Sequence, residues 1–190
     1  LSHPETRGRV RAMLRWPPHV AVDLHEMDAS STYFFPPAMN PINKNVPPVI
    51  LKWWDIYATA NAAAFDVHGW SFFRREGFDE FYPGYGSSWP IYLGAAGMTY
   101  EQASSGGGAI RRNDGTILTL RDAAHHHYAS SWATLLATAR RRGERVRDFL
   151  TFRQSAVADG ERGPMRAIVL ERDLDGRADS LARRLVDNGI

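Results

Sequence analysis

The sequence predicts an α/β fold, with a sheet covered by helices on both faces. Three runs are short and apolar enough for strands: "HVAVDL" at 19–24, "IYLGAAGMTYEQ" at 91–102 and "MRAIVLE" at 165–171. Between them lie longer stretches with helical periodicity, and strands alternating with helices pack as helix-covered sheets. The 190 residues suffice for one domain with a real core. At 44% hydrophobic and 23% charged residues, the composition is that of an ordinary globular chain.

In chain order, "SHPE" offers Ser2 as a helix cap with Glu5 three positions on, and Val10, Met13 and Leu14 then share one helical face. Trp16-Pro17-Pro18 ends that helix, and the valine-rich strand follows. Residues 29–48 hold five prolines and three asparagines and are expected to form a long loop without a regular element. From Val49 to Val67, Ile50, Trp53, Trp54, Tyr57, Ala60 and Ala64 fall on one helical face, with Gly69 as the stop. Trp53 and Trp54 read as packing residues. Residues 77–90 are expected to be a second loop, and the following strand ends in Glu101. Asn113-Asp114-Gly115 marks a hairpin turn. Thr119 with Asp122 caps a helix over 120–142, a second helix covers 144–158, and a last one, 176–188, closes at Gly189. A polar, glycine-containing stretch from Asp159 to Pro164 divides residues 1–158 from the start of a following α/β domain, 159–190.

Several function classes are weakly supported. The formal net charge is only +2, so a pI near 9.1 reflects a small arginine excess rather than a basic patch. Arg140 to Arg142, the longest basic cluster, sits late in a helix and complements its dipole, and nucleic-acid binding is not expected. No cysteine is present, which excludes disulfides and thiolate chemistry within the chain. No apolar stretch reaches the roughly 20 residues of a membrane span. The serine-glycine segments match neither a phosphate loop nor a hydrolase elbow. His125, His126 and His127 are consecutive on a helix, where neighbours diverge, and no histidine or acid follows at i+4 to make a metal pair.

Chemistry concentrates at strand ends. In open α/β sheets, ligands gather at the carboxyl ends of strands. Here "VAVDLHEMD" runs from a buried strand into Asp23, His25, Glu26 and Asp28, and another strand ends in Glu101. A histidine on one strand end and a glutamate on another suit zinc hydrolysis, since imidazole binds zinc and a carboxylate can take a proton from zinc-bound water. His25 and Glu101 are expected at the same edge of one sheet, facing a shared cleft. Glu26 should point to the other side of the strand.

"VAVDLHEM", "FYPGYGSSWP" and "GAAGMTYEQAS", in this order, resemble the catalytic domain of zinc metallocarboxypeptidases, the carboxypeptidase A-like clan, and above all its large bacterial members. The resemblance covers about Pro4 to Asp148. It implies a mixed sheet, incomplete at the N-terminus, and hydrolysis of peptide or related amide bonds, cell-wall peptides included. It makes His25 the third zinc ligand and Glu101 the general base and acid. It makes Tyr82, or its competitor Tyr85, the mobile tyrosine that closes over substrate. Glu26 to Phe35 would border the substrate pocket, with Ser87 and Ser88 near the segment that sets side-chain preference. The family's H-x-x-E zinc ligands and its substrate-binding asparagine-arginine pair do not occur in this sequence. The expectation is that the chain is a segment of a longer protein that supplies them. Alone it should be inactive, without the catalytic zinc, and prone to self-association through the cut edge of the sheet. The rival expectation is an inactive peptidase-like binding module. The resemblance also implies a periplasmic or secreted bacterial protein.

Overall fold

The computed structural model describes residues 3–165, 167–171 and 173–190. It contains both helices and small mixed sheets, an α/β arrangement. Two compact units divide the chain: His19–Phe149, and Leu1–Pro18 together with Leu150–Ile190.

In the first of these, β1 (Val20–Met27) leads to the two-residue β2 (Tyr33–Phe34) and β3 (Met39–Ile42), and then to the long helix α2 (Pro48–His68). β4 (Asp79–Glu80), a 3-10 helix (Trp89–Leu93) and β5 (Ala96–Ala103) follow. The hairpin β6 (Ala109–Arg111) and β7 (Ile117–Thr119) runs into α3 (Leu120–Arg140). β5 is the centre of a mixed three-stranded sheet, parallel to β1 on one side and antiparallel to β2 on the other. β1 is therefore an edge strand. β3 pairs with β4 in a separate two-stranded sheet.

The local chemistry of the helices is visible. Gly69 adopts the left-handed conformation that ends α2. Thr119 and Asp122 form a reciprocal capping box at the start of α3. Residues 29–48 do contain regular structure, contrary to the proline-based expectation. Tyr33 and Phe34 carry the non-proline residues that can pair, and both are taken up by β5. β3 holds Pro41 in a short strand at the margin of its sheet, a position where a missing N–H is tolerated. The loop expected at 77–90 likewise holds β4 and the start of the 3-10 helix.

α2 and α3 lie on one face of the sheet, not on both. Successive residues of β5 point to opposite faces. Tyr100, on the helix side, receives a hydrogen bond from Asn61 of α2 and meets Thr134 of α3 at 2.6 Å. Trp53, Trp54, Tyr57 and Phe65 of α2 are buried there with Tyr33, Met98 and Tyr100. The opposite face is covered by the segment around Ser87 to Ile91. That approach is close: a Cβ on Gly97 would stand 2.0 Å from the Ser87 carbonyl oxygen. On its other side, the Gly97 carbonyl accepts a hydrogen bond from Trp54 Nε1.

The second unit contains α1 (Pro4–Arg15), the C-terminal part of α4 (Arg142–Arg162) and α5 (Arg177–Asp187). Ser2, the expected cap of α1, lies outside the described residues, and the N-cap is His3 without a side-chain cap. α4 runs through the stretch from Asp159 that was expected to be a linker, ending at Arg162. The described residues of "MRAIVLE" do not form the expected strand. Arg166 lies outside the described residues, and the remaining residues of that run have no regular structure, with Ile168 and Val169 exposed. A β-branched run is stable as a strand only against a partner edge, and among the described residues none is paired with it.

Gly97→Ala should force Ser87 and Ile91 away from β5. Overpacking of this kind typically costs about 1–3 kcal/mol. Urea unfolding should show a loss of that size, and unchanged stability would mean that the contact relaxes freely.

Candidate functional site

The candidate site forms where β1 and β5 run side by side. Their parallel register pairs Asp23 with Thr99 and His25 with Glu101. In-register neighbours share a face, so Asp23, His25, Thr99 and Glu101 all project from the face opposite α2 and α3. The structure thus brings His25 and Glu101 together at the carboxyl ends of adjacent strands. His25 Nε2 lies 3.2 Å from Asp23 Oδ2, two residues earlier on the same strand face. Glu26 belongs to the other face, where Ser104 donates to its carboxylate. Asp28 caps a turn by accepting from the Ser30 N–H.

Glu101 is buried, while His25 is half exposed. Burial pushes the Glu101 carboxyl above the ordinary glutamate range; the His25 imidazole pulls it down and Asp23 pushes it up again. A carboxyl with a raised pKa is a proton acceptor that can also give the proton back.

His25 is also held through its backbone. His127 of α3 reaches across and donates from Nε2 to the His25 carbonyl at 3.1 Å. Burial pushes the His127 imidazole down, which keeps it neutral, so Nδ1 accepts from the Tyr33 hydroxyl at 2.8 Å. Tyr33 in turn meets Ser130 at 2.7 Å. His126 faces elsewhere and donates from Nδ1 to Gln102 Oε1 at 2.8 Å. Burial holds its pKa down at about 4.

Tyr82 and Tyr85 lie in the connection between β4 and the 3-10 helix. Both rings are more than half exposed, and they meet edge to face at 5.2 Å. Their loop is tied at two points, to the site face and to β4. Thr99 donates to Ser87 Oγ at 2.7 Å, and the buried Ser88 hydroxyl donates to the buried Glu80 carboxylate. Burial lifts the Glu80 pKa to about 7; the Ser88 bond opposes this and Asp79 adds to it.

Two of these groups have no local signal in the sequence. His127 stands 102 residues from the carbonyl it holds. Glu80 is an acid between phenylalanines in "FDEF", a hint of burial but not of a partner. Among the described residues, no group of three or more histidine, aspartate or glutamate side chains could hold a metal ion. Of the expected zinc ligands, this chain therefore offers His25, with Asp23 already against its Nε2.

Glu80 has a definite pH signature. Its folded pKa, about 7, lies above that of an unfolded glutamate, about 4.3, so the folded state binds the proton more tightly. Its contribution is present below about pH 4 and is lost as pH rises through about 7. Glu80→Gln keeps a group that can accept from Ser88 but carries no charge. It should leave stability near pH 4 little changed and raise it at pH 8, on the order of 3–4 kcal/mol. Urea unfolding at both pH values measures this, and equal shifts at both would remove ionisation as the cause. No protein-family model, curated protein or solved structure matches this chain, so the reading of the site rests on its own residues.

Proposed function

We propose that the chain carries the proton-accepting side of a hydrolytic site of the zinc-carboxypeptidase type, acting on a peptide or related amide. The observation that supports this reading is the pairing of His25 with Glu101 on adjacent parallel strands. Glu101 is the general base and acid in this proposal, and His25 is one imidazole ligand of the metal. The finer fold assignment, a carboxypeptidase-like sheet, belongs to the same proposal, as does an exported location.

Zinc in a complete centre would polarise the scissile carbonyl and acidify a water. The described residues do not complete such a centre, so its other ligands have to come from outside them. The chain's own residues account for the proton. The Glu101 carboxylate takes a proton from the attacking water as its oxygen bonds to the carbonyl carbon. It passes that proton to the amide nitrogen as the C–N bond breaks. Its pKa, raised by burial, makes it a stronger base than an ordinary glutamate. Tyr82 and Tyr85, exposed on a loop anchored beside the site, are the candidates to close over substrate. No helix among the described residues is long and apolar enough to cross a membrane. The open edge of β1 is the surface through which the isolated chain would self-associate.

A second reading, an inactive peptidase-like module that binds its ligand over the same face, is favoured by one contact. His25 Nε2 is already engaged by Asp23 within the strand.

Glu101→Gln separates the two readings, in protein that includes this segment and the remaining ligands. Hydrolysis should fall on the order of 100- to 10,000-fold with metal content unchanged, because the amide keeps a hydrogen bond but cannot take the proton. The acid limb of the wild-type rate profile should lie above the ordinary glutamate range, since the carboxylate must be ionised to act. Turnover equal to wild type in Glu101→Gln would place the base elsewhere. Ligand binding without any hydrolysis in the wild type would favour the binding module.

A further inference from the structure

The three consecutive histidines of α3 have separate fates. His126 and His127 are committed to Gln102 and to the Tyr33–His25 link. His125 is exposed and turned towards the C-terminal end of α2. There it meets His68, the last residue of that helix, at a ring-centroid distance of 5.3 Å. Trp70 fixes the arrangement. Its ring stacks on His68 at 4.1 Å and 16° and stands edge-on to His125 at 5.0 Å. Trp70 takes up a face of His68, and the contacts of His125 with His68 and with Trp70 are edge to face; imidazole nitrogens lie on the ring edge. Among the described residues, neither His68 nor His125 has a hydrogen-bond partner on those nitrogens.

We propose that His68 and His125 form a two-imidazole site for a divalent late transition-metal ion, separate from the strand-end site. The spacing fits. With metal–nitrogen bonds of about 2.0–2.1 Å, two imidazoles on one tetrahedral ion hold their ring centroids roughly 5 Å apart. The residue type fits as well, because imidazole suits zinc, copper and nickel, and copper(II) binds most tightly of the divalent series. The absence of an i+4 partner within α3 is no obstacle, since the second ligand comes from the neighbouring helix. With no third protein side chain in reach as a metal group among the described residues, the remaining coordination positions belong to water. Both rings line one end of a groove of about 410 Å³ between α2 and α3, so those positions are open to solvent.

Copper(II) is the sensitive probe and Trp70 the built-in reporter. The experiment uses the chain in a His3→Gln background, so that the amino-terminal imidazole does not compete. Equilibrium dialysis should find one copper per chain at this site, with quenching of tryptophan emission. Trp70→Phe should keep the copper and lose most of the quenching. His68→Gln and His125→Gln should each weaken binding by at least about tenfold, since even groups outside the ligand set change affinity by that much. The double variant should be little worse than either single one, as expected for two ligands of one ion. His25→Ala should leave this copper in place. Far-UV circular dichroism checks that the glutamine variants fold, as they should at such accessible positions. Copper retained at wild-type affinity in His125→Gln, copper lost only on His25→Ala, or no copper-dependent quenching would each overturn the proposal.

Discussion

Eight consecutive residues of β1 lie in parallel register with eight of β5, and the rest of the His19–Phe149 unit depends on that register. A parallel pair cannot be closed by a tight turn, so the chain must make a long crossover between the two strands. That crossover contains β2, β3, α2 and β4, and α2 brings in most of the aromatic core. The same register sorts side chains. Val20, Val22, Met98 and Tyr100 meet the helices, while Asp23, His25, Thr99 and Glu101 emerge together on the opposite face. A slip by one residue would exchange the two sets, burying carboxylates against Trp54 and exposing Tyr100. The core and the candidate site are therefore specified by one constraint.

The polar groups on the helix side hold that register in place. Tyr100, fully buried, has its phenol pushed towards the neutral form by burial. It is satisfied by Thr134 and Asn61, one from each helix. Trp54 satisfies the Gly97 carbonyl in the same layer. A buried polar atom left without its partner costs about 1–3 kcal/mol. Displacing either helix would thus leave several such atoms unmet at once.

What could be read from the sequence was mostly what closes within a few residues. The Thr119–Asp122 box, the Asn113–Gly115 turn and the Gly69 stop are of this kind, and all three form. β1 and β5 were legible because apolar runs of strand length ended in charged groups. β2 was not, because the partner that makes Tyr33 and Phe34 a strand lies far along the chain, in β5. "MRAIVLE" failed for the complementary reason: it has strand propensity, but among the described residues no edge is paired with it. At the site, His25 and Glu101 could be suspected from strand ends, whereas the roles of His127 and Glu80 rest on long-range contacts and burial.

The consecutive histidines of α3 make the rotational phase of that helix matter. Each step along an α-helix turns the side chain by roughly 100°, and three steps in a row here address three different surroundings: a groove, the end of β5, and the carbonyl of His25. The capping box at Thr119 decides at which residue the helix begins, and so sets the azimuth of every residue after it. Inserting or deleting a single residue between Asp122 and His125 would leave composition and hydrophobicity almost untouched. It would nonetheless rotate all three imidazoles out of their appointments together. Length, not chemistry, is the quantity under tightest control in that turn.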